Sequence, residues 1–194
     1  SLEFSKKSFL EMYSFGSKLL ITGLIDTIYK NVYLLIIGKY FSASELGFYT
    51  RAEQFKDLPS SNITNVIQRV SFPILASIQD DQARLKAAYR KLIKSTMLIT
   101  FTLMLGMSAI SESMVLTLIG EKWRTTVEYL QLICFVGMLF PLHALNLNIL
   151  NVKGRSDLFL KLEIIKKFFA VPTIIFGVFF GIKVMIICMF FNSL

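Results

Sequence analysis

Charged residues are scarce and unevenly placed along this chain, and the gaps between them predict helices. Three stretches, Ser95 to Ser111, Tyr129 to Val152 and Phe168 to Ile182, contain no Asp, Glu, Lys or Arg. A helix of about 20 apolar residues crosses the roughly 30 Å hydrocarbon core of a bilayer, and flanking side chains snorkel to its edges. Each stretch therefore reads as a membrane helix. Val184 to Leu194 is a fourth apolar run, but its ~11 uncharged residues reach only roughly 16 Å as a helix, too short to cross. Before Asp80, two long segments, Phe15 to Tyr40 and Ser44 to Ile78, are apolar but repeatedly interrupted by polar and charged residues. The pattern predicts an all-α, polytopic membrane helix bundle with approximate helices at 12–39, 44–78, 84–111, 125–152, 157–182 and 183–194. The last is expected to be truncated, and with a first residue of Ser1 the chain reads as a piece of a longer protein.

The interrupted segments carry periodic polar faces. Advancing about 100° per residue, Ser14, Lys18, Thr22, Asp26, Tyr29, Lys30 and Tyr33 fall within a sector of roughly 160°, opposite Leu20, Ile21, Leu24, Ile28 and Leu35. Asp26 and Lys30 are four apart and so could pair. If Pro59 permits a continuous helix, Arg51, Gln54, Ser61, Asn62, Asn65, Gln68 and Arg69 lie within roughly 120°, opposite Ile63, Val66, Ile67, Val70 and Ile74. Charge at mid-membrane depth costs several kcal/mol and almost always faces a bundle interior or a wet cavity. Two adjacent helices with such faces would wall a hydrophilic cavity, and Lys18, Arg51 and Arg69 suit an anion such as a phosphate or pyrophosphate. Polar stripes also arise from hydrogen bonds between helices, and Arg51, Glu53, Lys56 and Asp57 lie close enough to a helix start to be partly solvated.

Composition agrees with a membrane origin. Hydrophobic residues make up 54% and charged residues 18% of the 194 positions, with 18 Phe and a mean hydropathy of +0.60; a soluble domain carries about 25% charged residues. Disorder, collagen-like repeats and a disulfide scaffold are excluded by the same numbers. In a soluble protein the net charge of +8 would raise nucleic-acid binding. Here its distribution speaks for topology, and no nucleic-acid partner is expected. Lys6 and Lys7, then Arg84, Lys86, Arg90, Lys91 and Lys94, then Lys153, Arg155, Lys161, Lys166 and Lys167 form clusters at alternate connections. Cytoplasmic loops collect Lys and Arg, so these clusters would lie inside.

The remaining motifs are sparse. Cys134 and Cys188 sit in apolar runs without metal-ligand spacing and read as packing residues. His143 follows Pro141 and shares a face with Asn146, as a structural His or a proton relay. Asn62-Ile63-Thr64 matches a glycosylation sequon inside an expected membrane helix. Pro59, Pro73, Pro141 and Pro172 are candidate kinks. In the turn at Gly154 to Asp157, Gly154 is a candidate C-cap and Ser156 or Asp157 a candidate N-cap. No phosphate loop, metalloprotease or nucleophile-elbow motif is present, so no enzyme, metal or cofactor is expected.

Four blocks in order, FGSKLLITGLIDTIYKN (Phe15 to Asn31), SASELGFYTRA (Ser42 to Ala52), LPSSNITNVIQRVSFPIL (Leu58 to Leu75) and HALNLNILNVKGRSDLFLKLEIIKK (His143 to Lys167), resemble the polysaccharide flippases of the multidrug/oligosaccharidyl-lipid/polysaccharide exporter superfamily, in its lipopolysaccharide and exopolysaccharide branch. The resemblance implies a two-lobed transporter of twelve to fourteen helices around a central cavity, with residues 1–194 forming part of the second, C-terminal lobe. It implies a bacterial inner-membrane, multi-pass protein that turns an undecaprenyl-pyrophosphate-linked oligosaccharide from the cytoplasmic to the periplasmic leaflet by alternating access. Membrane lipid and a polysaccharide polymerase are the other partners it implies. The expected substrate cavity comprises Lys18, Thr22, Asp26, Lys30, Arg51, Gln54, Asn62, Asn65, Gln68 and Arg69, with the cations on the pyrophosphate or on acidic sugars. A coupling ion would act at Asp26, the one deeply placed acid expected in the chain. Rival expectations are a drug or cation exporter of the related branch, which calls for a more acidic and aromatic cavity, a membrane glycan polymerase or ligase, which calls for a large outer loop with catalytic Arg or His, and a purely structural membrane subunit.

Overall fold

The protein, seen in a computed structural model, is described over residues 6–193. Within that range nothing is described for the side chains of residues 6–11, 18, 22, 25, 26, 29, 30 and 156. The described residues are helical, with no strand: α1 (Lys6–Tyr40), α2 (Ala43–Ser77), α3 (Gln82–Ile119), a 3-10 turn at Glu121–Trp123, α4 (Arg124–Val152), α5 (Ser156–Phe180) and α6 (Ile182–Ser193). Two of these, α3 and the stretch Glu121–Val152 containing α4, are long and apolar enough to cross a membrane.

Short polar connections set where the helices begin and end. Ser42 starts α2, its hydroxyl accepting from Glu45 N–H at 3.1 Å. Asp81 starts α3 by accepting from the N–H groups of Ala83 and Arg84 at 3.1 and 3.0 Å. Both satisfy amides that the first turn leaves unpaired. Asp157 instead accepts from Arg155 Nε at 3.4 Å, and α5 begins at Arg155 without a side-chain cap. The expected cap at Ser156 or Asp157 is therefore not made by Asp157, and the side chain of Ser156 is outside the described residues. The hairpin between α5 and α6 turns on Gly181, whose φ of +99° suits a residue without Cβ. Connections this short fold successive helices back on one another. The turns after α1, α3 and α5 share one end of the bundle, and those after α2 and α4 share the other.

The central element is α4, which packs on α2, α3, α5 and α6; α1 packs mainly on α5 and touches α2 less. The main core fills the end nearest the turns after α1, α3 and α5, around Tyr33, Ile37, Tyr49, Met104, Leu130, Ile133, Cys134, Met185 and Ile186. A smaller core of Leu75, Leu85 and Val152 closes the opposite end. Large apolar side chains elsewhere point outward, among them Leu20, Leu24 and Ile28 on α1 and Phe168, Phe176 and Phe179 on α5.

Candidate functional site

Pro59 and Pro73 lie inside α2 without ending it. Each removes one backbone donor, and nearby side chains bond back to the helix: Ser61 Oγ to Asp57 O at 2.5 Å, Asn62 Nδ2 to Leu58 O at 2.6 Å and Thr64 Oγ1 to Ser60 O at 2.7 Å. A continuous α2 keeps the polar stripe on one side. Arg51, Gln54, Ser61, Asn62, Asn65 and Arg69 are exposed and Gln68 is half-buried.

The face of α2 that packs is neither of the two the periodicity contrasts. Ala52, Ser60, Thr64 and Ser71 are buried, whereas Val66, Val70 and Ile74, opposite the polar stripe, are 61%, 51% and 45% exposed. Small side chains let two helices approach closely, and here they admit α4. Asn148 of α4 donates from Nδ2 to Ser71 Oγ at 3.0 Å in this seam. Further along it runs Lys56, whose side chain is 13% exposed and whose Nζ lies 2.8 Å from both Glu53 Oε2 and Asp57 Oδ1. Lys56 is thus largely enclosed rather than solvated. Its aliphatic stem lies over Gly137 of α4, where a Cβ would come within 3.0 Å of Lys56 Cγ and 3.2 Å of Met104 Sδ.

Arg51 and Arg69 are not brought together. Eighteen residues of one helix separate them, or about 27 Å at 1.5 Å per residue. That is close to the hydrocarbon thickness of a bilayer. A single phosphate or pyrophosphate cannot bridge the two. Arg51 donates from Nη1 to Gln54 Oε1 at 2.8 Å and lies over the Trp123 ring, 5.6 Å from its centroid, at the end of the bundle where α3 turns into α4. Lys122 flanks the same ring at 5.9 Å, and Phe48 meets it edge-on. Arg69 lies near the opposite end, exposed, with no hydrogen bond or ion pair to other described residues. The side chains of Lys18, Thr22, Asp26 and Lys30 lie outside the described residues, so the proposed pairing of Asp26 with Lys30 does too. What the structure gives of α1 is its mate: α5 more than α2.

A second polar cluster, at the joint of α4 and α5, was not anticipated as a set. Glu163 is 4% exposed. Its Oε1 lies 2.9 Å from His143 Nε2, and its Oε2 lies 3.4 Å from Lys167 Nζ. Lys166 Nζ is also 2.9 Å from His143 Nε2. Asp26 is therefore not the only deeply placed acid. The sequence did hold a signal: His143 and Glu163 stand equally far from Lys153 in the turn, and such positions face each other in an antiparallel hairpin. Asn146, on the neighbouring part of the same face of α4, accepts a hydrogen bond from Tyr89 of α3, whereas His143 meets α5.

Nothing here has the form of a metal centre; among the described residues no group of three or more His, Cys, Asp or Glu could hold an ion. Cys134 is buried in the main core and Cys188 is half-buried, both as free thiols.

The family described as polysaccharide biosynthesis protein matches residues 1–128. The chain is 31% identical over 176 residues to the lipopolysaccharide biosynthesis protein WzxC of Escherichia coli (strain K12), covering 91% of this chain and 36% of that protein. It is 30% identical over 155 residues to the teichuronic acid biosynthesis protein TuaB of Bacillus subtilis (strain 168), covering 80% and 32%. The succinoglycan biosynthesis transport protein ExoT of Rhizobium meliloti (strain 1021) is 26% identical over 109 residues, covering 56% and 22%. The chain thus spans about a third of the length of the first curated relatives it matches. No solved structure matches it.

Proposed function

This chain belongs to the polysaccharide biosynthesis protein family, and from that membership we propose that it forms part of one lobe of a flippase that moves a lipid-linked oligosaccharide across the bacterial inner membrane. All six helices lie in the membrane in this reading, with the apolar outer faces of α1 and α5 against lipid and the exposed stripe of α2 on a hydrophilic cavity. The turns after α2 and α4, beside Arg84, Lys86, Arg90, Lys153 and Arg155, are cytoplasmic because basic residues collect on that side. The lobes rock about the cavity, the polar head passes along α2 and the lipid tail stays in the bilayer. No covalent chemistry is asked of the protein.

The observation that carries the proposal is the open polar face of α2 with an arginine near each end. In the inward-open state Arg69 takes the anionic head at the cytoplasmic side, because a guanidinium offers a phosphate two parallel N–H donors. Asn65, Asn62 and Gln54 present neutral polar groups along the way, and Arg51 with Trp123 receives the head at the outer rim. The name of the relative ExoT, a transport protein, supports transport over a polymerase or ligase reaction.

The test is complementation of a flippase-deficient strain by the full-length protein, with lipid-linked repeat units that accumulate in the cell as the readout. Arg69→Ala and Arg51→Ala are each expected to cut flipping about tenfold or more, which corresponds to losing one charge-assisted contact of 1.5–3 kcal/mol. If both variants clear the intermediates at the wild-type rate, the α2 face does not carry the head. Transport with unchanged pH dependence in Asp26→Asn would remove Asp26 from ion coupling.

A further inference from the structure

His143 Nε2 lies at bonding distance from two partners that require opposite things of it. A ring nitrogen carries either one N–H or one lone pair. With an N–H it donates to Glu163 Oε1, and the Lys166 ammonium finds no acceptor there. With a lone pair it accepts from Lys166, and the Glu163 oxygen faces a second acceptor. The two contacts, each 2.9 Å, are therefore alternatives decided by whether Nε2 carries a hydrogen.

We infer that His143, Glu163 and Lys166 form a proton-binding site at the joint of α4 and α5, where one proton taken onto Nε2 exchanges Lys166 for Glu163 as the partner of His143. Without the proton, the neutral ring accepts from the Lys166 ammonium, and Glu163 keeps Lys167 on its other oxygen. A proton from water adds to the Nε2 lone pair and makes an imidazolium that donates to Glu163 Oε1. The Lys166 ammonium, now beside a cation, gives up this contact; it stands at the edge of the cavity of about 480 Å³ between α5 and α6. Release of the proton to water reverses each step; the covalent change is one hydronium O–H bond broken and one N–H bond formed.

Burial gives the exchange its leverage. Glu163 is too enclosed to find water as a substitute partner, and an unpaired buried charge is costly. His143 lies two residues beyond Pro141, where α4 lacks one backbone hydrogen bond and bends more easily. Changing its partner from one residue of α5 to another three positions further along changes the pull on α4 at that weak point. Other titratable groups on the packed elements include Lys161 and Lys167 on α5, Cys134 on α4, Lys56 and Arg69 on α2, Tyr33 on α1, bonded to Thr173 of α5, Tyr89 on α3, bonded to Asn146 of α4, and Cys188 on α6, in the same cavity as Lys166. Asp26 and Lys30 stand on α1, which packs on α5, with side chains outside the described residues. The site requires no assumption about the cargo.

The test is a pH titration of the His143 imidazole, observed by nitrogen NMR on full-length protein with labelled histidine in lipid nanodiscs. Its signal is the one lost in His143→Gln. Glu163→Gln, which removes the anion, is expected to weaken proton binding at His143 about tenfold, and Lys166→Met, which removes the competing cation, to strengthen it about tenfold. Opposite shifts support the site; shifts of one sign, or none, overturn it. Should Glu163→Gln fail to fold, Lys166→Met and Lys166→Arg decide, since arginine must restore wild-type proton binding and methionine must not.

Discussion

Two polar joints on α4 solve the same problem differently. At the joint with α2, the charge of Lys56 is neutralised within one helix by Glu53 and Asp57, three positions before it and one after. All that α4 contributes there is the absence of a side chain, at Gly137. At the joint with α5, two opposite charges of one helix, Glu163 and Lys166, converge on a ring nitrogen of another, His143 of α4. The first arrangement is satisfied in a single protonation state, with Lys56 as the cation and Glu53 and Asp57 as the anions. The second has two arrangements and responds to a proton. In the proposed flippase the first contact would keep the lobe intact and the second would let a helix change its hold.

The sharpest way to break this contrast is Gly137→Leu. The new side chain collides with the Lys56 stem and Met104, and overpacking of this kind costs about 3 kcal/mol. Thermal unfolding of the full-length protein in detergent should show the loss, equal at pH 5.5 and pH 8. Lys56→Met comes next, at about 1–2 kcal/mol by the same measurement. Breaking a buried ion pair costs more than this, but Asp57 and part of Glu53 reach solvent and are screened there. Asn148→Ala leaves the buried Ser71 hydroxyl without its donor, for about 1 kcal/mol. Trp123→Leu removes the ring beneath Arg51 and should cost only about 0.5–1 kcal/mol of stability. It also sharpens the picture of α2, because its flipping defect in the complementation assay should match that of Arg51→Ala if the ring holds the guanidinium at the outer rim. A wild-type flipping rate in Trp123→Leu beside a defective Arg51→Ala would show that Arg51 acts without it.

Apolar runs and polar turns made the helices legible, because backbone hydrogen bonds in an apolar stretch are local and need no partner. The stripe of Arg51, Gln54, Asn62, Asn65 and Arg69 was legible for the same reason, since helical phase is a local property. Phase could not say which neighbour each face meets. It set the polar stripe against Val66, Val70 and Ile74, and the face that packs is a third one, carrying Ser60, Thr64 and Ser71, because close approach between helices in an apolar medium rewards small side chains rather than apolar ones. It grouped Arg51 with Arg69 by angle, although rise along the helix keeps them about 27 Å apart.

By itself, then, the sequence determined that this chain is helical and apolar, where its helices turn, which residues share a face, and, through four blocks along its length, the family to which it belongs. Only the tertiary structure decided that α4 is the central helix, that the Lys56 stem lies over Gly137, and that Glu163 and Lys166 converge on one ring nitrogen of His143. The division follows from the physics. Periodicity and charge are carried by neighbours in the chain, whereas burial and the sharing of a ring nitrogen depend on residues 20 positions or more apart, brought together by how the helices pack.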